Sequence, residues 1–357
     1  MNSSISSSDQ RGQKAAGSAW RRFFRLAVGT AVAVGCFVYV FVVTVDPWDI
    51  LPLSPALHRV PVSTNARFAF PALARNPAFD SAVFGTSTAR LLRPLALDPV
   101  FGASFANLAM NSATAYEQSR MMEVFARNHP HAKFVMVGID IVWCGTGDSY
   151  EKLTPRAFPE WMYEPNRWAA YREMFTPYAV QEAGSQFAML IGMKKARYGR
   201  DGYTNFLPDE GLYDFERVRP KLPPIEIAQP GQPSKLDRAA LKFPTHAFLQ
   251  TALDRLPATT QKIVFFVPYY RGIQPAAGSD AAASVDECKA RIAGMVRFVP
   301  NLHVVDFMIP SPITDEATNY WDPLHFRTPI AERLIGDLAA AAKGLPSASG
   351  DYRLLLD

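Results

Sequence analysis

Three short stretches combine residue types that can do acyl-group chemistry. Gly85-Thr86-Ser87-Thr88 puts a hydroxyl just after the apolar run Ser81–Gly85, where a strand would give way to a short helix ended by Pro94. Backbone N–H groups converge at such a point and favour developing negative charge, which suits a nucleophile and its oxyanion. Ser87 can equally be a plain N-cap. Asp322-Pro323-Leu324-His325 places a carboxylate just ahead of an imidazole. In a tight turn the carboxylate can hold one ring nitrogen and leave the other to take a proton from a nucleophile. The alternative is a surface turn capped by Asp322. Asn107 to Glu117 (NLAMNSATAYE) is the third stretch. Its small polar residues can offer backbone and amide donors, or Ser112 or Thr114 can simply cap a helix.

Something must bring these stretches together across the chain. Ser81–Gly85, Lys133–Trp143, Lys262–Val267 and Leu302–Phe307 read as strands, with Ser104–Ala109 a weaker fifth. Their near-continuous apolar runs are those of parallel strands buried on both faces. Ala115–Asn128, Asp280–Phe298 and Pro329–Ala342 read as helices, the last with Thr328 as N-cap and Pro329 at its first position. Alternating β and α elements imply a three-layer α/β/α domain around a mainly parallel five-stranded sheet. Residues 144–260 interrupt the alternation. They are rich in Trp, Tyr, Phe and Pro, with helical patterns near Ala179–Lys194 and Ser234–Leu256, and read as an insertion folded over the strand ends. Open α/β sheets bind ligands at that edge.

In their order along the chain, the three stretches resemble the SGNH (GDSL-like) hydrolase and acyltransferase superfamily. That family carries its nucleophile in a Gly-x-Ser turn after the first strand, matched by Gly85-Thr86-Ser87. Its Asp-x-x-His motif before the final helix is matched by Asp322 and His325. Its second block supplies a donor near Asn111 and Ser112. The resemblance covers about residues 80–143 and 260–343. It implies a flavodoxin-like sheet and a Ser87, His325, Asp322 triad. This chain departs from the pattern twice: Asn111-Ser112 stands where the second block usually has Gly, and Gly138-Ile139-Asp140 where the third usually has Gly-x-Asn. An ionised Asp140 facing an oxyanion would oppose the chemistry, so it is neutral, points elsewhere, or is replaced as donor by Asn111. The likeness is greatest to membrane-anchored members acting on envelope polysaccharides, among them alginate O-acetylation proteins and the D-alanine transfer protein of teichoic acids.

The anchor is read independently of the resemblance. Leu26–Val45 runs for twenty residues without a charge, enough to cross a hydrocarbon core. Arg21, Arg22 and Arg25 precede it, and Asp46 and Asp49 follow. The positive-inside bias therefore puts residues 1–25 in the cytoplasm and the rest outside, anchored in the inner membrane. A cleaved signal peptide fits less well, because no small-x-small site follows the run. A lipoprotein modified at Cys36 would begin its mature chain with the apolar stretch Phe37–Val45. Residues 1–25 read as a disordered tail, 46–79 as a Pro-rich linker, 80–345 as the catalytic-type domain and 346–357 as a C-terminal tail.

Charge and cysteines exclude several classes. Five of the 37 basic and one of the 33 acidic residues lie in 1–25. That stretch carries the whole formal charge of +4 and leaves the rest balanced, with no basic stripe for nucleic acid. Cys36, Cys144 and Cys288 show no CxxC or His/Cys metal spacing, so no metal or cofactor is expected. Cys144 and Cys288 are taken as buried free thiols, with pairing outside the cytoplasm the alternative. His129 and His131 read as a solvated loop. Trp143, Tyr269, Tyr270 and Arg271 sit at strand ends, where aromatic rings can stack on sugars or pack in the core. The expected activity is that of an exported serine esterase or O-acyltransferase on an acylated glycan or small molecule, partnered by envelope polysaccharide-modification proteins. The alternative is a non-catalytic scaffold subunit of the same machinery.

Overall fold

Short apolar runs form the strands close to where the sequence puts them. The computed structural model describes residues 7–226 and 234–356. Its strands are β1 (Ser81–Phe84), β2 (Phe105–Asn107), β3 (Phe134–Ile139), β4 (Gln261–Phe266), β5 (Leu302–Asp306) and β6 (Arg353–Leu356). The helices of eight residues or more are α1 (Ser7–Val45), α2 (Ala66–Leu73), α3 (Pro94–Phe101), α4 (Ala115–Asn128), α5 (Pro177–Leu190), α6 (His246–Asp254), α7 (Asp280–Val296) and α8 (Thr328–Ala341). The contacts divide the chain into two units, residues 1–59 with 166–195, and residues 60–165 with 196–357. The stretch expected to be one insertion is thus shared between them.

In the larger unit the sheet runs β2-β1-β3-β4-β5-β6. Every pair is parallel except β5 with β6, which is antiparallel. The sheet therefore has six strands, not five. The extra one comes from the expected C-terminal tail, where Leu354, Leu355 and Leu356 partly bury against β5. The central strands are buried throughout, Val135 to Ile139 and Lys262 to Phe266 included. Ring contacts such as Phe84 with Phe125 fasten α4 to the sheet. The first turn of α4 carries a capping box between Thr114 and Glu117.

Several local expectations change. β3 ends at Ile139, and Asp140 opens a short 3-10 turn over Ile141–Trp143. Pro94 does not stop a helix; it occupies the first turn of α3, a position that costs no hydrogen bond. The helix expected over Ser234–Leu256 shrinks to α6, because Pro244 breaks the pattern just before it. Thr328 is not the cap of α8, as no side chain on that turn caps it. Its N–H is taken instead by Glu210 Oε1 at 2.8 Å. His129 is buried on the Phe125 ring and bonded through Nε2 to the Ala74 carbonyl, while His131 is exposed. Cys144 and Cys288 are not free thiols but a disulfide tying the segment after β3 to α7.

The smaller unit is built on α1. Among the described residues one helix, Ser18–Val45, is long and apolar enough to cross a membrane. α1 begins at Ser7, so much of the expected disordered tail is helical; Gln13, Lys14, Ala15 and Ala16 are good helix formers. Residues 1–6 of that tail lie outside the described residues, as do 227–233 of the expected insertion. Beyond Val45, Asp46 adopts φ 44° and its two carboxylate oxygens accept from the Ile50 and Leu51 amides at 3.1 and 3.0 Å. Arg59 Nε donates to the Val45 carbonyl at 2.7 Å. The Arg59 bond serves a carbonyl that the helix end leaves without a partner, and the Asp46 bonds fix the turn that follows.

Candidate functional site

The chain leaves β1 through Gly85, whose φ is 143°. A Cβ there would lie 2.6 Å from the Ala89 Cβ and 3.1 Å from the Gly138 carbonyl oxygen. Only glycine fits this sharp turn pressed against β3. The turn presents Ser87 between Thr86 and Thr88. Thr88, not Ser87, is the residue that caps the following 3-10 turn, and its side chain makes no capping bond.

The His325 loop reaches Ser87 because the C-terminal end of β4 holds it. Tyr270 N donates to the Pro323 carbonyl at 2.9 Å, and Tyr320 Oη to the Pro268 carbonyl at 2.9 Å. A bridge between Tyr320 and Phe326 closes the loop, and Trp321 N donates to the His325 carbonyl at 2.9 Å. Ser87 Oγ and His325 Nε2 are 2.8 Å apart, although 238 positions separate them in sequence. His325 Nδ1 lies 2.8 and 3.0 Å from the two carboxylate oxygens of Asp322. Asp322 Oδ1 also accepts from the amides of Leu324 and His325 at 2.9 and 3.0 Å. Burial pushes the Asp322 carboxyl up, but the imidazole and the two amides outweigh it and hold it below the usual carboxylate range. The Phe206 ring meets the imidazole edge-on at 5.3 Å between centroids. The structure thus brings Ser87, Asp322 and His325 together.

Asp140 faces the same turn from below. Thr86 Oγ1 donates to its Oδ2 at 2.7 Å, and Thr88 Oγ1 and Tyr269 Oη to its Oδ1 at 2.9 and 2.7 Å. Burial pushes the Asp140 carboxyl above the usual carboxylate range, and these hydroxyls with the Thr86 amide offset that only in part. Tyr269 is pushed far upward by burial and by Asp140, so it stays a donor. Both carboxylate oxygens are therefore spent as acceptors on the residues either side of Ser87.

Asn111 is fixed by three guanidinium groups. Arg90 Nη1 donates to its Oδ1 at 2.8 Å, and Arg67 and Arg156 donate to its backbone carbonyl at 3.3 and 3.1 Å. Arginine only donates, so the Asn111 amide must turn its oxygen to Arg90 and its NH2 away from it. The adjoining Met110 N donates to the Gly85 carbonyl at 3.0 Å, which ties this turn to the Ser87 turn. Ser112 follows with φ 54° and is exposed.

Four participants were not singled out in sequence: Thr86 and Thr88 as a pair, Arg90 and Phe206. The Thr-Ser-Thr spacing was the only readable signal, since two hydroxyls flanking a third can share one acceptor. Arg90 is buried under the rings of Phe70, Tyr198 and Phe206, nearest Tyr198 at 4.9 Å. Nothing local marks Arg90 or Phe206. Among the expected aromatics, Trp143 is buried with Nε1 donating to Gln118, and so belongs to the core. No group of three or more metal-ligating side chains occurs among the described residues. Compared with protein-family models and with curated proteins, the chain matches none.

Proposed function

We propose that this protein is a membrane-anchored, exported serine esterase or O-acyltransferase of the SGNH type, acting on an acylated envelope glycan or a related acyl ester. One observation carries the reading: Ser87, His325 and Asp322 stand in hydrogen-bonded sequence at 2.8 and 2.8 Å, drawn from the two ends of the domain. Ser87 attacks the acyl carbonyl, His325 Nε2 takes its proton, and Asp322 fixes the ring with its proton on Nδ1. The acyl-enzyme then passes its acyl group to water or to a sugar hydroxyl, with His325 as base for the second step. The developing oxyanion is met by the Asn111 NH2 group and not by Asp140, whose oxygens are occupied as acceptors.

Three further observations support the setting. The order β2-β1-β3-β4-β5 is the flavodoxin-like order. The pairing of α4 with α6, and of α3 with α8, agrees with helices in two layers around it. The Cys144–Cys288 disulfide suits an oxidising compartment, as expected if the charges before the span of α1 keep its start in the cytoplasm.

The test is covalent labelling of the full chain in detergent with a fluorophosphonate. Labelling of the native chain, lost in Ser87→Ala and in His325→Ala, supports catalysis. Asp140 as an acceptor in place of the family's donor Asn favours a second reading, a non-catalytic scaffold subunit. A folded native chain that takes no label would establish that second reading.

A further inference from the structure

We infer that residues 166–195 form a platform that lies in the outer surface of the bilayer beside the spanning helix, so that the protein holds the membrane at two places. The inference rests on α1 spanning the membrane and is independent of the chemistry at Ser87.

The depth follows from contacts within the smaller unit. Tyr39 and Phe41 lie six and four residues before the end of α1 at Val45. At the helical rise these rings sit about 9 and 6 Å below that end. The segment packs on them there. The Phe187 ring meets Phe41 with 5.7 Å between centroids, the Phe175 ring meets Tyr39 at 6.0 Å, and Tyr39 Oη donates to the Tyr171 carbonyl at 2.9 Å. If the end of α1 is at the hydrocarbon edge, Phe175 and Phe187 cannot be in bulk water. Interfacial helices bury their apolar faces to about 5–10 Å, the same depth.

The chemistry of α5 agrees. Its buried residues are Ala179, Glu182, Ala183 and Gln186, small or polar. Its exposed residues include Val180, Gly184 and Phe187, and Ile191 follows just beyond its end. Their spacing of four, three and four places them on one face. A helix in water shows the reverse, apolar in and polar out. Trp168, Phe175 and Met193 extend the uncovered apolar surface, with Met193 80% exposed. Lys194 and Lys195 follow directly and are exposed, where ammonium groups can reach lipid phosphates while their stems stay apolar. The occupant is thus a lipid surface carrying phosphate headgroups.

Spin labels test this in the full chain reconstituted in phosphatidylcholine and phosphatidylglycerol vesicles. The background is Cys36→Ser with the native disulfide kept. Labels are placed by Phe187→Cys and Met193→Cys, by Val34→Cys inside the span, and by Phe298→Cys as an exposed site of the larger unit. Oxygen partitions into lipid and a nickel chelate stays in water. Labels at 187 and 193 should favour oxygen and report depths of about 5–10 Å. If they behave like position 298 while position 34 reads as lipid, the platform is wrong although the span is right. Shielding of both positions from both reagents would mean that protein, such as a second copy, covers the surface, and would overturn the lipid assignment. If position 34 itself reads as aqueous, α1 does not span and the platform falls with it.

Discussion

Asp140 spends both carboxylate oxygens on holding the turn around Ser87. It stands where the resembled family offers an amide to the oxyanion, yet its oxygens accept from Thr86, Thr88 and Tyr269. An acceptor for the residues on both sides of Ser87 fixes where the Ser87 backbone sits. Removing it in Asp140→Ala leaves the buried Tyr269 hydroxyl and one of the two threonine hydroxyls, which are 3.3 Å from each other, without an acceptor, at about 1–3 kcal/mol each. Asp140→Asn keeps one acceptor oxygen, and a threonine hydroxyl can rotate to accept from the new NH2. Fluorophosphonate labelling of Ser87 should therefore slow strongly in Asp140→Ala and recover largely in Asp140→Asn, with the same pH profile in both as in the native chain. An Asn variant active to higher pH than the native chain would instead reveal a neutral Asp140 donating its proton. Arg90 and Asn111 form the complementary pair: a group that only donates fixes the amide oxygen on itself and turns the NH2 group away.

At the scale of elements, the site depends on close approach between the turn after β1 and the C-terminal end of β3. Gly85 and Gly138 permit it, and Ala89 fills the space that either Cβ would need. Gly85→Ala introduces both a positive φ, at about 1–3 kcal/mol, and a contact of 2.6 Å with Ala89. It should lower the melting temperature and nearly abolish labelling of Ser87. Adding Ala89→Gly removes the closest contact but leaves the one with the Gly138 carbonyl oxygen at 3.1 Å, so the double variant should regain part of the lost stability. No regain would show that the backbone angle and the Gly138 contact together set the cost. These contacts also show what a sequence displays. Buried parallel strands announce themselves as apolar runs, and short motifs at their ends announced Ser87, Asp322 and His325. β6 was hidden because it is itself an edge strand, and its four residues follow a stretch of turn formers. The disulfide was hidden because its cysteines are 144 residues apart. Arg90 and Phe206 reach the site through tertiary packing, which has no local period to read.

At the scale of the whole molecule, buried His246 and half-buried Asp337 have effects on stability that oppose one another. His246 is stacked on Phe243 at the covered start of α6, and burial pulls it down to about 4. Between its unfolded value near 6.5 and about 4, the unfolded chain binds the extra proton, so this group lowers stability as pH falls. Asp337 on α8 is pushed up to about 6 by burial and by the nearby Asp351. Between about 6 and its unfolded value near 4, the folded chain binds the extra proton, so this group raises stability as pH falls. Each slope is at most about 1.4 kcal/mol per pH unit, and over the shared window they largely cancel. Asp322, held low by His325, loses its contribution only below that window. Taken by themselves, these two groups leave the melting temperature nearly constant from pH 6 to 4. His246→Phe keeps a flat ring on Phe243 and removes the proton site, leaving Asp337 unopposed, so its melting temperature should rise as the pH falls. Asp337→Asn leaves His246 unopposed and should show the opposite trend. Parallel profiles for the three proteins would mean that neither group is held away from its ordinary value by the fold.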